Sequence, residues 1–259
     1  MIRQFLNPPN WFSAASLFCG LYAILLAGGA NGDPNAFYQA GLFIFYAGLF
    51  DALDGRVARL TGTGSAFGVQ LDSLIDIISF GVAPAALVYF YKLDELGPIG
   101  VFAAFWFMLC GAFRLARFNI MSDGKTHQFG PGATITMTGG TLAGYVMWQA
   151  AGGNGLVVRP EVLALIAVAM GVLMVSNVPF RTLKTMRRNA RTFAGVTIFA
   201  GAFIYCGVIW DISAVLAGLG SVYLLSGPVE AVVGYPQRRK KRRSELAAER
   251  VSPKDDKRE

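Results

Sequence analysis

The sequence predicts an all-α polytopic membrane protein with about eight transmembrane helices and both termini on the cytoplasmic side. Three observations carry that prediction. First, 54% of the 259 residues are hydrophobic and only 15% are charged, with a mean hydropathy of +0.48. Water-soluble domains carry about 25% charge. Second, the apolar residues fall in runs long enough to cross a bilayer, separated by short polar breaks. Third, Lys and Arg are distributed unevenly between alternate breaks. With both ends inside, all but Lys92 and Arg159 of the 23 Lys and Arg lie on or near the inner side.

The spans follow in order. Met1 to Asn10 holds Arg3 and a Pro-Pro pair and reads as an interfacial lead-in; no small-residue cleavage site marks a signal peptide. The first span covers about Trp11 to Gly29 and ends at the polar turn 29–35. The second starts near Ala36 and ends inside an acidic stretch. The third runs from about Phe67 to Tyr91 and the fourth from about Pro98 to Phe118. A polar loop, Asn119 to Gly132, holds His127, which reads as a solvated side chain. The fifth span is about Ala133 to Ala151, the sixth Glu161 to Val178, the seventh Thr192 to Ile209 and the eighth Ser213 to Gly234. One membrane domain therefore covers 1–236. The remainder, 237–259, is a basic tail with RRKKRR at its start, read as disordered or lying on lipid. The net charge of +7 suits anionic lipid contact, not nucleic acid. Cys19, Cys110 and Cys206 sit in apolar runs without paired spacing and read as small buried residues.

The chemistry concentrates in DALDGRVARLTGTGSAFGVQLDSLID, Asp51 to Asp76. Asp51 and Asp54 are spaced i, i+3; Asp72 and Asp76 are spaced i, i+4. Each pair shares one face of its helix. The segment between, Leu60 to Phe67, is rich in Gly, Thr and Ser and can turn the chain. Two antiparallel helices would gather four carboxylates in an apolar setting, where they repel and are costly to desolvate. Hard divalent cations are the fitting countercharge, because Mg²⁺ and Mn²⁺ prefer oxygen ligands. Intramembrane acids also mark ion-coupled carriers. A carrier, though, needs no Gly-x2-Ala-Arg between its acids, and no second copy of the pattern suggests paired halves.

Written out, the pattern is Asp51-x2-Asp54-Gly55-x2-Ala58-Arg59-x8-Gly68-x3-Asp72-x3-Asp76. It resembles the signature of the CDP-alcohol phosphatidyltransferase family at every defined position. The resemblance implies two divalent cations, Mg²⁺ or Mn²⁺, held by Asp51, Asp54, Asp72 and Asp76 against the diphosphate of a CDP-linked lipid. It implies Asp76 as general base, and Gly55, Ala58, Arg59, Ser65 and Gly68 as the residues that meet the CDP-lipid. Small residues there admit a nucleotide; taken singly they also suit close helix packing.

Other segments resemble the phosphatidylserine synthase branch of that family: Pro9-Asn10-Trp11-Phe12, Leu17-Phe18-Cys19-Gly20, the run 77–85, Phe113 to Asn119, and Met174 to Phe180. That branch implies CDP-diacylglycerol and L-serine as substrates and CMP as leaving product. It also implies a homodimer, while the Lys and Arg asymmetry puts the aspartates at the cytoplasmic face of what is expected to be a bacterial inner membrane. Serine brings a carboxylate that needs a cation, and arginine offers a two-pronged grip. Arg114, Arg117 and Asn119 are the candidate acceptor residues; snorkelling to lipid phosphates fits both arginines equally well. One departure is the run Phe129-Gly130-Pro131-Gly132-Ala133-Thr134, where the branch carries a Gly-Leu-Pro-type turn into Pro-Ala-Ala. Other acceptors open to the same chemistry are glycerol 3-phosphate, inositol phosphate and choline.

Overall fold

Helix boundaries follow the prolines and caps. A computed structural model describes residues 7–63, 65–121, 129–153, 158–181 and 212–228. Helix α1, Pro8–Gly28, opens on proline, whose missing N–H costs nothing in a first turn. Helix α2, Pro34–Thr61, is capped by Asp33, which accepts from the Asn35 N–H at 3.0 Å. Gly62 ends it in the left-handed region, φ 65°. Ser65 then caps α3, Ala66–Tyr91, accepting from the Gly68 N–H at 3.0 Å. Helix α4, Pro98–Met121, follows a short 3₁₀ turn at Leu93–Leu96. Then come α5, Ile135–Ala150, α6, Pro160–Val175, and α7, Ile212–Pro228.

The helical architecture matches expectation, with two refinements. Among the described residues, α1 to α4 are long and apolar enough to cross a membrane. At 21 residues α1 is about 32 Å long, close to the roughly 30 Å of a hydrocarbon core. Helices α5 and α6 have 16 residues each, about 24 Å, shorter than the fifth and sixth spans read from hydropathy. The expected seventh span and the tail lie outside the described residues, as do His127 and Cys206. The second refinement is a strand pair. Strand β1, Phe129–Pro131, runs antiparallel to β2, Pro179–Arg181, with Gly130 opposite Phe180. Gly132 extends the pairing, its N–H donating to the Val178 carbonyl at 2.9 Å. Its φ of +79° and the proximity of the Met174 carbonyl leave no room for a side chain.

Helix α5 lies at the centre, against α2 and α3, while α1 flanks α2 and α3 and α4 pairs with α6. The core holds Ile44, Phe80, Leu87, Phe107, Leu142 and Met174. Lipid-facing positions such as Trp11, Phe18, Leu25 and Phe105 are exposed on the protein, as bilayer spans require.

Helix α3 is not uniform. Directly after Asp76 it widens into a π turn, Ile77–Val82, in which the Ala83 N–H reaches back to the Ile78 carbonyl. Pro84 explains the widening. In an α-helix its ring would clash with the Phe80 carbonyl four residues earlier, and it offers no N–H to that oxygen. Gly139 of α5 packs its backbone against the same Phe80 carbonyl. A stretched turn and a side-chain-free neighbour together accommodate proline mid-span.

Candidate active site

The α2–α3 hairpin brings the two acid pairs together. Asp51, Asp72 and Asp76 each present an oxygen, and the three oxygens lie within 4.8 Å of one another. All three side chains are half-buried. Asp76 lies in the field of the other three acids. Its Oδ1 is buried with no hydrogen-bond partner among the described residues. Three converging carboxylates and one orphaned oxygen within membrane helices are a donor set that fits a hard divalent cation.

Asp54 behaves differently. It is buried, it stands outside the three-oxygen group, and it accepts a 2.7 Å hydrogen bond from Ser13 of α1. It still interacts electrostatically with Asp72 and Asp76. The four acids therefore form one neighbourhood with two kinds of member.

A cleft of about 140 Å³ adjoins the acids. Asp54, Gly55 and Ala58 line it from α2, and Ser65, Gly68 and Asp72 from the start of α3. A side chain at Gly55 would meet no atom within 4 Å, so it would grow into this open space. The Ser65 oxygen both lines the cleft and caps α3. Arg59 is exposed on the last turn of α2 and is not part of the lining.

Asn7, Asn10 and Ser13 of the α1 end, with Thr63, complete the cleft. None was a site residue on sequence grounds, although Asn10 lay within a recognised motif. Asn7 donates to the Thr63 carbonyl at 3.1 Å and ties the start of α1 to the α2–α3 turn. That pairing spans 56 residues and leaves no local signature.

The three acceptor candidates separate. Arg114 is buried, stacks over Phe118 at 5.2 Å and lies within electrostatic reach of Asp76. Its Nε is buried without a hydrogen-bond partner among the described residues. Asn119 donates to Ser73 Oγ at 3.0 Å, one residue from Asp72. Arg117 turns the other way. Its guanidinium caps the end of α6, donating to the carbonyls of Val175, Ser176 and Met174 at 2.9, 3.2 and 3.3 Å, and to Asn177 Oδ1 at 3.3 Å. A cation there satisfies the open carbonyls of a helix end and its negative dipole.

A helical membrane protein with an acidic cluster between two hairpin helices, beside an open cleft, has the makings of a metal-dependent enzyme. The chain belongs to the CDP-alcohol phosphatidyltransferase family, whose model matches residues 6–183. It is 36% identical over 195 residues to a CDP-diacylglycerol--serine O-phosphatidyltransferase of Helicobacter pylori, covering 74% of this chain and 78% of that one. It is also 35% identical over 184 residues to an archaetidylserine synthase of Methanothermobacter thermautotrophicus, covering 69% and 71%. A CDP-diacylglycerol--serine O-phosphatidyltransferase of Saccharomyces cerevisiae is 39% identical over 139 residues, about half of each chain.

Proposed function

We propose that this protein transfers the phosphatidyl group of CDP-diacylglycerol to L-serine, giving phosphatidylserine and CMP. The observation that carries the proposal is the convergence of Asp51, Asp72 and Asp76 beside a cleft lined by Gly55, Ala58, Ser65 and Gly68. The names of the relatives at 35% to 39% identity support serine as acceptor.

Two divalent cations, Mg²⁺ or Mn²⁺, held among Asp51, Asp54, Asp72 and Asp76, would polarise the diphosphate and offset charge on departing CMP. The chain's own residues do the rest. Gly55, Ala58 and Gly68 leave room for the nucleotide, Ser65 offers it a hydroxyl, and Arg59, exposed beyond the lining, is the family position that would add a charge. Arg114 supplies the charge for the serine carboxylate, through a buried donor that has no partner among the described residues. Asp76, at the position the family resemblance makes the general base, takes the proton of the serine hydroxyl. The serine oxygen then bonds to the phosphatidyl phosphorus. The bond from that phosphorus to the CMP oxygen breaks, and its electron pair leaves with CMP. No cysteine, histidine or lysine stands in the aspartate motif to form a covalent intermediate, which favours direct displacement.

We infer that the site faces the cytoplasm from an inner bacterial membrane and that the basic tail lies on anionic lipid, a reading the Lys and Arg asymmetry supports. A homodimer is the working unit proposed, on the family resemblance alone. An acceptor panel tests the reading. Purified protein with CDP-diacylglycerol and Mn²⁺ should release CMP with L-serine, and should not with glycerol 3-phosphate, inositol phosphate or choline. CMP release with one of those acceptors and none with serine would reassign the acceptor. Ion flux in liposomes with no CMP under any condition would make the protein a carrier.

A further inference from the structure

Asp54 is held by a residue that no motif assigns. Ser13 and Asp54 are 5% and 7% exposed, sit on different helices, and are 41 residues apart in sequence. The Ser13 hydroxyl has one proton and two neighbours: Asp54 Oδ2 at 2.7 Å and the Pro9 carbonyl at 3.3 Å. The shorter, charge-assisted bond takes it. Asp54 lines the cleft with Asp72 while Asp51, Asp72 and Asp76 gather on their own.

We propose that Ser13 is a positioning residue for Asp54, holding it on the cleft side and so dividing the four acids into two unequal cation positions. The tighter position is formed by Asp51, Asp72 and Asp76. The weaker one is completed by Asp54 together with Asp72, beside the space where a diphosphate would lie. The proposal rests on the phosphatidyl-transfer reading above and adds a division of labour to it. The physical basis is general. A partner that hydrogen-bonds a metal-binding carboxylate fixes its orientation, and losing that partner weakens the metal on the order of 10- to 100-fold. Serine suits the task because its hydroxyl sits on a short, stiff arm from a helix that packs directly against α2.

The test is Mn²⁺ binding to the purified full chain in detergent, read from the paramagnetic resonance of free Mn²⁺. Wild type should bind in two classes. Ser13→Ala should leave the tight class in place and weaken the second roughly 10- to 100-fold. Ser13→Thr, which keeps the hydroxyl, should restore it. Asp54→Asn should lose the second class and keep the first, which tests the division even if Ser13→Ala fails to fold. A purely structural role for Ser13 would lower thermal stability and weaken both classes together. A single class in wild type, a Ser13→Ala titration superimposable on wild type, or an Asp54→Asn variant retaining both classes overturns the proposal. The transfer reading is judged separately, by CMP release from wild type; two-class binding without CMP would sink that reading and leave the Ser13 role standing.

Discussion

Gly55 illustrates how much one atom decides at this site. No atom lies within 4 Å of where its side chain would begin, yet it lines the cleft. Gly55→Leu should therefore raise the KM for CDP-diacylglycerol by roughly tenfold or more, equivalent to about 1.4 kcal/mol, while leaving thermal stability nearly unchanged. A melting curve and a substrate titration check both halves. The arginines give a paired contrast. Arg114→Lys keeps the charge and loses the fork, so the KM for serine should rise more than that for CDP-lipid. Arg117→Ala strips the cap from α6 and should act on stability, by about 1 to 3 kcal/mol for its lost charged hydrogen bonds, with a smaller change in serine KM. A larger serine effect in Arg117→Ala would return Arg117 to the acceptor pocket. The two acid pairs were legible in the sequence because their spacing alone fixes a shared helix face. Ser13 was not, because its partner is 41 residues away and a serine in an apolar run looks like any small residue. Arg117 was only half legible: spacing put it near the inner ends of the helices, but not on the carbonyls of α6.

The elements show the same division between local and long-range information. Prolines at the starts of α1, α2, α4 and α6 and the Asp33 and Ser65 caps are local signals, and the observed boundaries follow them. The π turn at Ile77–Val82 was not foreseen, although Pro84 was visible; hydropathy alone reads straight through a span. The β1–β2 pair escaped for a different reason, since three-residue strands 50 residues apart have no periodicity to detect. The π turn supports a prediction of its own. Pro84→Ala removes the clash with the Phe80 carbonyl and would let the segment close into a regular α-helix with no residue lost. The part of α3 before it would rotate by about 100° relative to the part after it, carrying Asp76 away from Asp51. The expected result is a helical, monodisperse protein whose Mn²⁺ affinity has fallen by at least about tenfold, read by titration alongside circular dichroism. Unchanged affinity would show that the wide turn is not what aims Asp76.

For the whole molecule, hydropathy indicated a helical membrane body and the aspartate signature indicated its chemistry. The packing order, with α5 central and α1 supplying one wall of the cleft, came only from the structure. Composition cannot show it, because the Thr and Gly of α5 permit close packing without saying which helices pack there. Orientation is testable at this scale. A single cysteine at Asp94, in a cysteine-free background, should react with a membrane-impermeant maleimide added outside intact cells. One placed in the tail at 245 should react only after lysis; the reverse pattern would invert the topology and move the site to the outer face. The central claim is that the acids shared by α2 and α3 are the reaction centre. The most direct measurement is single-turnover CMP release from CDP-diacylglycerol with L-serine and Mn²⁺, comparing wild type with Asp76→Asn at matched bound CDP-lipid. The account predicts a rate lower by roughly 10²- to 10⁴-fold or more in the variant, the range for a lost general base, with CDP-lipid still bound. Turnover at the wild-type rate would contradict it.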